Sequence, residues 1–471
     1  MSTTTFEALS EEALAGLRMT ARGRVLTPAD AGYETVRPPF NAMHPDQPGL
    51  VVECTGTADV VEAVNFAREH GLELTVRGGG HSIAGLSSCT EGGMLIDLAP
   101  MNGVLVDRES ELAHVQGGAL WGDVDREGQL YGLTTPGGVV SDTGVAGLTL
   151  GGGMGWLRRK YGLSCDNVVA FEVVGADGEV RTASAEENPD LYWALRGGGG
   201  NFGVVTRFTF RVHPVGPIVA FAGVFYPAAE APAVLRGLRA YIETAPDEVS
   251  PLALALTMPA DPHLPEPVHE QEVCIVGGVY AGDPEEGMKV LQPLRELAEP
   301  LADISQPLPY RFVQSSFDPF FPRQHLHSYW KAAYVTALSD ELIGVVASAM
   351  QGRPGPLASV IVWPMGGAVN RVSADETAYG ERSAPWMVSI ETNSPEPDAE
   401  AKIAWVRETL SRVSEFGTGT TYLNFTAPDD EGSETGVSDA FGGKLARLVQ
   451  IKGKYDPENF FHRNNNIAPA G

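Results

Sequence analysis

Four glycine clusters, Gly78–Gly80, Gly137-Gly138, Gly151–Gly155 and Gly197–Gly203, crowd into the first half of this chain. The first lies in the hexapeptide Arg77-Gly78-Gly79-Gly80-His81-Ser82, directly after an apolar strand candidate, Leu72–Val76. Consecutive glycines let the backbone turn several N–H groups toward one point, which suits a phosphate. One such cluster reads as a turn. Four of them near strand ends read as backbone lying along an extended pyrophosphate ligand, with His81 in reach of whatever that pyrophosphate belongs to. The last cluster contains a formal G-x-G-x-x-G from Gly198 to Gly203, but a helix candidate precedes it and a strand candidate follows. A Rossmann loop needs the opposite order. No Walker lysine follows any of the clusters, so neither familiar nucleotide loop is present.

Periodicity places the first loop in a β-α-β unit. Val51–Cys54 reads as a strand, Asp59–Glu69 carries a helical apolar stripe ending at Gly71, and Leu72–Val76 is the second strand. Trp121–Leu130 reads as a helix, and Asp177-Gly178 marks a hairpin between Val168–Val174 and Glu179–Thr182. Asn188 before Pro189 predicts an N-cap, and Val204–Val212 alternates as a strand. After Pro214-Val215-Gly216-Pro217, longer strand and helix candidates replace the glycine clusters through about residue 414. The predicted organisation is α+β: a first part (1–214), an inserted part (215–414) and a C-terminal return (415–471). The acidic stretches Asp261–Glu272, Ser394–Glu400 and Ala427–Glu434 read as solvated loops.

A chain of 471 residues is too long for one ordinary core. Its formal charge of −27 argues against nucleic acid or an anionic membrane surface as partner. Cys54, Cys89, Cys165 and Cys274 lie far apart with no Cys-x-x-Cys pair, which fits a reducing compartment and excludes a zinc ribbon. The first thirty residues lack the apolar core of a signal peptide, and no run reaches the ~18–20 apolar residues of a membrane span. The expectation is a cytoplasmic protein.

Five ordered motifs carry a resemblance that spans nearly the whole chain. They are Arg77–Ser82, Gly147–Gly155, Tyr161–Asn167 (YGLSCDN), Arg196–Val205 (RGGGGNFGVV) and Tyr455–Asn459 followed by Asn464–Ile467. Together they resemble the FAD-linked oxidases of the vanillyl-alcohol oxidase type, in the berberine-bridge-enzyme-like branch. The resemblance implies a two-part FAD-binding domain interrupted by a substrate domain, an antiparallel sheet covered by helices. It implies that His81 bonds covalently to the flavin. It places the cofactor against Arg77, Gly78, Gly79, Gly80, Ser82 and Gly85. Further contacts fall at Thr143, Gly144, Leu148, Gly151, Gly152, Val205, Asn464 and Asn466. Many relatives carry a second, cysteinyl tether; the matching position here is Val140, and Cys165 falls where relatives have small packing residues. FAD held through His81 only is therefore expected, as in bacterial single-tether members of the branch.

Thr143 falls where relatives place a residue that gates oxygen access to the flavin. It is equally readable as an ordinary strand or turn residue. In sugar- and cannabinoid-oxidising relatives the base is the second tyrosine of Tyr-x-Asn-Tyr; this chain reads Tyr422-Leu423-Asn424-Phe425, so that base is missing. Tyr422 and Asn424 remain candidates for the pocket, with Tyr422 equally readable as core. Alternation along Trp386–Asn393 puts Met387, Ser389, Glu391 and Asn393 on one face. A glutamate in such a strand is costly to bury without a purpose. Glu391 is the candidate to orient or deprotonate substrate, the alternative being a paired or exposed side chain. Tyr310, Arg311, Trp330, Lys331, Tyr334 and Trp363 are further pocket candidates, each also readable as core, and His325-x-His327 has no patterned partner for a metal.

The expected activity is removal of a hydride from an alcohol, amine or activated C–H of a small secondary-metabolite-like or heterocyclic substrate. Dioxygen is the expected acceptor and a monomer or homodimer the expected assembly. Two alternatives stand beside it: a monooxygenase using an oxygenated flavin, and a nucleotide-binding protein without redox activity.

Overall fold

The computed structural model describes residues 6, 9–36, 39–44, 47–397, 399–427 and 434–470. A small sheet opens the chain, in the order Val25–Leu26, Leu50–Glu53, Met94–Asp97, Leu74–Arg77, with its last three strands parallel. The β-α-β unit is present, with helix Thr57–His70 between its strands, but Met94–Asp97 inserts between the two. Leu74–Arg77 thereby becomes the edge strand, and its end opens into the first glycine loop. Gly71 ends the helix at φ 63°, where its N–H bonds back to the last turn; only glycine takes that conformation without cost.

A second, antiparallel sheet follows in the order Val104–Asp107, Leu112–Gln116, Val204–Arg211, Val168–Val174, Val180–Ser184. The hairpin at Asp177-Gly178 is there as its dipeptide predicts. Asn188 corrects one expectation. It precedes helix Pro189–Leu195 at φ 48° and makes no cap; its Nδ2 donates to the carbonyl of Thr182 instead, 2.8 Å away. The tight exit from the hairpin holds the backbone left-handed there, so the side chain turns back onto the strand.

Residues 218–394 build a large antiparallel sheet. Its order is Ala302–Asp303, Ile218–Pro227, Glu272–Tyr280, Val249–Thr257, Ser359–Pro364, Trp386–Ser394, His327–Val335, with Gln306–Pro309 also on Ile218–Pro227. Helices Ala231–Ile242, Asp340–Gln351 and Glu400–Ser414 bury their apolar stripes on one face, through Val234, Leu238, Leu342, Val346, Val406 and Val413. The opposite face, with Leu252, Leu254, Ile361, Trp363 and Met387, packs toward the glycine-rich half through Met154, Trp156 and Leu157.

The C-terminal return is fastened by one fully buried cation. Lys452, in helix Leu445–Tyr455, donates from Nζ to Asp456 Oδ2 (2.6 Å) and to the carbonyls of Asn201 (2.8 Å) and Phe461 (2.9 Å). Asn201 adds to this: its Oδ1 accepts from Ile467 N and its Nδ2 donates to the carbonyl of Asn465. The segment around Asn464 is thus tied to the fourth glycine cluster. Among the described residues no helix is long and apolar enough to cross a membrane. Of the acidic stretches, residues 398 and 428–433 lie outside the described residues.

Candidate active site

The glycine loops and the large sheet meet at a cavity of about 310 Å³. Gly78–Ser82, Thr143, Gly144, Leu148, Gly151, Val205 and Asn464 line one side of it. Across from them stand Leu252, Leu254, Ile361, Trp363, Glu391 and Asn393 from the large sheet. Tyr422, Asn424 and Phe425 reach it from the C-terminal return. Four other candidates sit outside the lining. Arg77 is the last residue of an inward-facing strand, and its buried Nε donates to the carbonyl of Ser87 at 2.8 Å. Gly85 packs on the ring of His44, Gly152 on that of Tyr379, and Asn466 lies just beyond the lining residues Asn464 and Asn465.

Two glycines of the cradle are required for packing alone. A Cβ on Gly79 would lie 2.2 Å from Gly144 Cα, and one on Gly144 would lie 2.5 Å from Gly79 Cα, so the two loops touch backbone to backbone. A Cβ on Gly200, a residue of the cavity lining, would meet nothing within 4 Å. These two situations predict different outcomes. Gly79→Ala should destabilise the protein by about 3 kcal/mol in urea unfolding, because backbone cannot give way. Gly200→Ala should unfold within about 0.5 kcal/mol of wild type, yet show lower flavin content by absorbance.

His81 is held as a neutral base. Its ring stacks on Phe40 with centroids 4.1 Å apart and 14° between planes. Burial, helped by the nearby Arg323 cation, brings its pKa down to about 3. Nε2 is buried and has no hydrogen-bond partner among the described residues. Arg323 is anchored in turn by Asp142, at 2.6 Å. Asn464 Oδ1 and Asn466 Oδ1 are likewise buried without partners, although Asn464 Nδ2 donates to the carbonyls of Gly200 and Phe461. Unsatisfied buried polar atoms around a cavity ask for a polar ligand. Open space at Gly200, a neutral imidazole and these amide oxygens together suit a dinucleotide with a ring system at the His81 end.

None of the four cysteines lines the cavity. Cys165 is fully buried beside Asp166, and burial pushes its thiol far up from the ordinary range. Val140, the position the resemblance matches to a second tether, lines the cavity.

The side of the cavity facing the glycine loops is aromatic with one acid. Trp330, Trp363, Phe317 and Phe425 line it, Trp330 and Phe425 meeting edge to face at 5.6 Å. Glu391 is 2% exposed, and burial pushes its pKa up to about 7, opposed only by the hydrogen bond from Ser389. Tyr422 Oη accepts from Gly153 N (3.2 Å) and Asn424 Nδ2 (2.9 Å); burial raises its pKa to about 12, so it remains a neutral phenol. Tyr310, Arg311, Lys331 and Tyr334 are absent from the lining: Tyr310 and Tyr334 are core, Tyr334 bonding Tyr379, while Lys331 faces the other side of the sheet over Tyr329. Sequence reading missed Ser359, which strand pairing sets opposite Glu391, and the phenylalanines of 317–321. Neither has a local signal: Ser359 depends on strand pairing, and the phenylalanines, in and beside the short turn Asp318–Phe320, on how that turn packs. Among the described residues there is no cluster that could hold a metal ion, and His325 and His327 bond only to backbone.

Comparisons with known proteins agree with this geometry. Residues 48–184 match the FAD binding domain family, and residues 421–468 match the berberine and berberine-like family. An FAD-linked oxidoreductase of Dictyostelium discoideum is 32% identical over 428 residues, covering 90% of this chain and 89% of its own. The crystal structure of 6-hydroxy-D-nicotine oxidase from Arthrobacter nicotinovorans superposes with a TM-score of 0.83 at 25% identity, covering 96% and 99% of the two chains. BBE-like 1 of Physcomitrella patens gives 0.85 at 26% identity, covering 99% of each. Motifs, cavity and relatives converge on one assignment: the chain belongs to the FAD-linked oxidoreductases of the vanillyl-alcohol oxidase type, in the berberine-bridge-enzyme-like branch, and is a flavoenzyme that binds FAD.

Proposed function

We propose that this protein is an oxidase whose FAD is bonded through His81 alone and whose substrate is a small alcohol, amine or activated C–H compound of secondary-metabolite or heterocyclic type. The observation that carries the reading is His81 itself: a neutral imidazole, fixed by Phe40, with a buried ring nitrogen that no protein group uses. Bound FAD supplies a two-electron acceptor for a hydride from substrate and returns the pair to dioxygen as hydrogen peroxide. The chain's own residues do the rest. Trp330, Trp363 and Phe425 hold a planar substrate, and the large apolar wall excludes water. Glu391 takes the proton of the substrate's O–H or N–H as the C–H bond breaks. Tyr422 and Asn424 orient substrate from the C-terminal return, and Thr143 controls the approach of oxygen.

In this reading residues 1–214 and 415–471 form the FAD part and 215–414 the substrate part. The protein acts in the cytoplasm as a monomer or homodimer, with its four cysteines as free thiols. The absence of a sugar-oxidase tyrosine at Phe425 and the aromatic wall both argue against oligosaccharides. Acid precipitation followed by anaerobic reduction tests the proposal. The pellet should stay yellow, substrate should bleach it before oxygen enters, and one hydrogen peroxide should appear per substrate oxidised. Labelled oxygen in the product instead of peroxide would make the protein a monooxygenase, the reading that Thr143 at the cavity favours. A colourless protein would leave only nucleotide binding.

A further inference from the structure

Three side chains on the large-sheet wall of the cavity form a chain of hydrogen bonds whose direction the indole sets. Trp363 Nε1 lies 3.1 Å from Ser389 Oγ, and Ser389 Oγ lies 2.8 Å from Glu391 Oε1. Trp363 is 2% exposed, Ser389 0% and Glu391 2%, so no bulk water competes. An indole N–H can only donate. Ser389 therefore accepts from Trp363, and among the described residues Glu391 is the one acceptor its own proton meets. Oε1 is then an acceptor whether the carboxyl is ionised or neutral.

The ring of Trp363 is fixed from behind. The Arg158 guanidinium sits over it at 5.5 Å and is itself held by the carbonyls of Pro364 (3.0 Å), Gly155 (3.1 Å) and Pro251. The indole therefore has little freedom to release Ser389. On the paired strands, Glu391 is opposed by Trp330 and Ser359, neither of which titrates. Ser359 Oγ is buried without a partner among the described residues. The other ionisable groups that line the cavity are His81, Tyr422 and Arg463.

We propose that Trp363 and Ser389 are positioning residues: they fix Glu391 Oε1 as a permanent acceptor and leave Oε2 as the atom that exchanges a proton with substrate. The inference rests on Glu391 being the proton acceptor of the oxidase reading. In that step a new O–H bond forms at Oε2 as the substrate's O–H or N–H bond breaks. The hydride leaves from carbon to the flavin, so the substrate loses two electrons and two hydrogens in total. Locking Oε1 keeps the receiving lone pair aimed at the cavity and spares the carboxyl a rotation during the transfer.

Infrared difference spectroscopy of the holoenzyme tests this without a substrate. The C=O band of the neutral carboxyl, assigned by its loss in Glu391→Gln, is followed against pH. In Ser389→Ala the carboxylate loses the one hydrogen bond it has among the described residues, and the midpoint should rise by about 1–2 pH units. In Trp363→Phe, Ser389 remains but is free to rotate, so the midpoint should rise by a smaller amount. A Ser389→Ala midpoint equal to wild type overturns the relay, and a Trp363→Phe midpoint equal to wild type overturns its fixed direction. Failure of the underlying reading shows differently: Glu391→Gln would then reduce its flavin as fast as wild type, whatever the band does.

Discussion

Replacing His81 with alanine should leave an acid-precipitated pellet colourless and move the flavin into the supernatant, while the wild-type pellet should stay yellow. The expectation rests on protonation and on geometry together. A nitrogen lone pair is needed to form the bond, and a protonated imidazole has none to offer. Burial and the Arg323 cation keep the ring neutral down to about pH 3, so the nucleophile is available at every pH where the protein is handled. The Phe40 stack holds the ring plane. Loss of that stack costs about 1 kcal/mol, too little to unfold a chain of this size, and circular dichroism separates loss of the bond from loss of the fold. No cysteine lines the cavity to provide a second tether. A yellow His81→Ala pellet would place the bond elsewhere; a colourless wild-type pellet would mean that FAD is bound without one.

Glu391→Gln should stop the chemistry and stabilise the protein. The folded carboxyl has its pKa raised from 4.5 to about 7. The neutral form is therefore favoured on folding. Its contribution is intact below about pH 4.5, shrinks as pH rises, and is gone above about pH 7. At pH 8 wild type carries the full penalty of a buried carboxylate, about 3 kcal/mol for that shift. Glutamine carries none and still accepts from Ser389. The variant should melt several degrees higher than wild type at pH 8 and together with it at pH 4, and its flavin should be reduced by substrate about 100–10,000-fold more slowly. Equal melting at both pH values would show that the carboxylate is not paying for its burial, and an unchanged rate of reduction would remove Glu391 from the mechanism.

Much of this site could be read along the chain. The first glycine loop, its strand and His81 are adjacent in sequence, and a turn's backbone chemistry is written in the residues of the turn. The alternation of Trp386–Asn393 placed Ser389, Glu391 and Asn393 on one face for an equally local reason, because a strand's side chains alternate. Arg77 shows where local reading stopped. It belongs to the same hexapeptide, yet as the final residue of an inward-facing strand it turns to the carbonyl of Ser87 and away from the cavity. Of Trp330, Lys331, Tyr334 and Trp363, all read as candidates from composition, two reach the cavity and two do not. Parity along the strand turns Lys331 away from the face of Trp330, whereas Tyr334 shares that face but packs into the core against Tyr379, so strand register and packing are both needed.

The sequence by itself carried the glycine loops that suit a pyrophosphate, the ordered motifs whose resemblance implies FAD, and the α+β pattern, since each is written in short local stretches. Only the tertiary structure decided what surrounds Glu391. Ser359–Pro364 and Trp386–Ser394 pair along their length, which sets Ser359 opposite Glu391 and brings the Trp363 indole within 3.1 Å of Ser389. The same packing buries the acid and so sets its pKa. Burial and cross-strand neighbours are properties of strand order, and no window of sequence contains them.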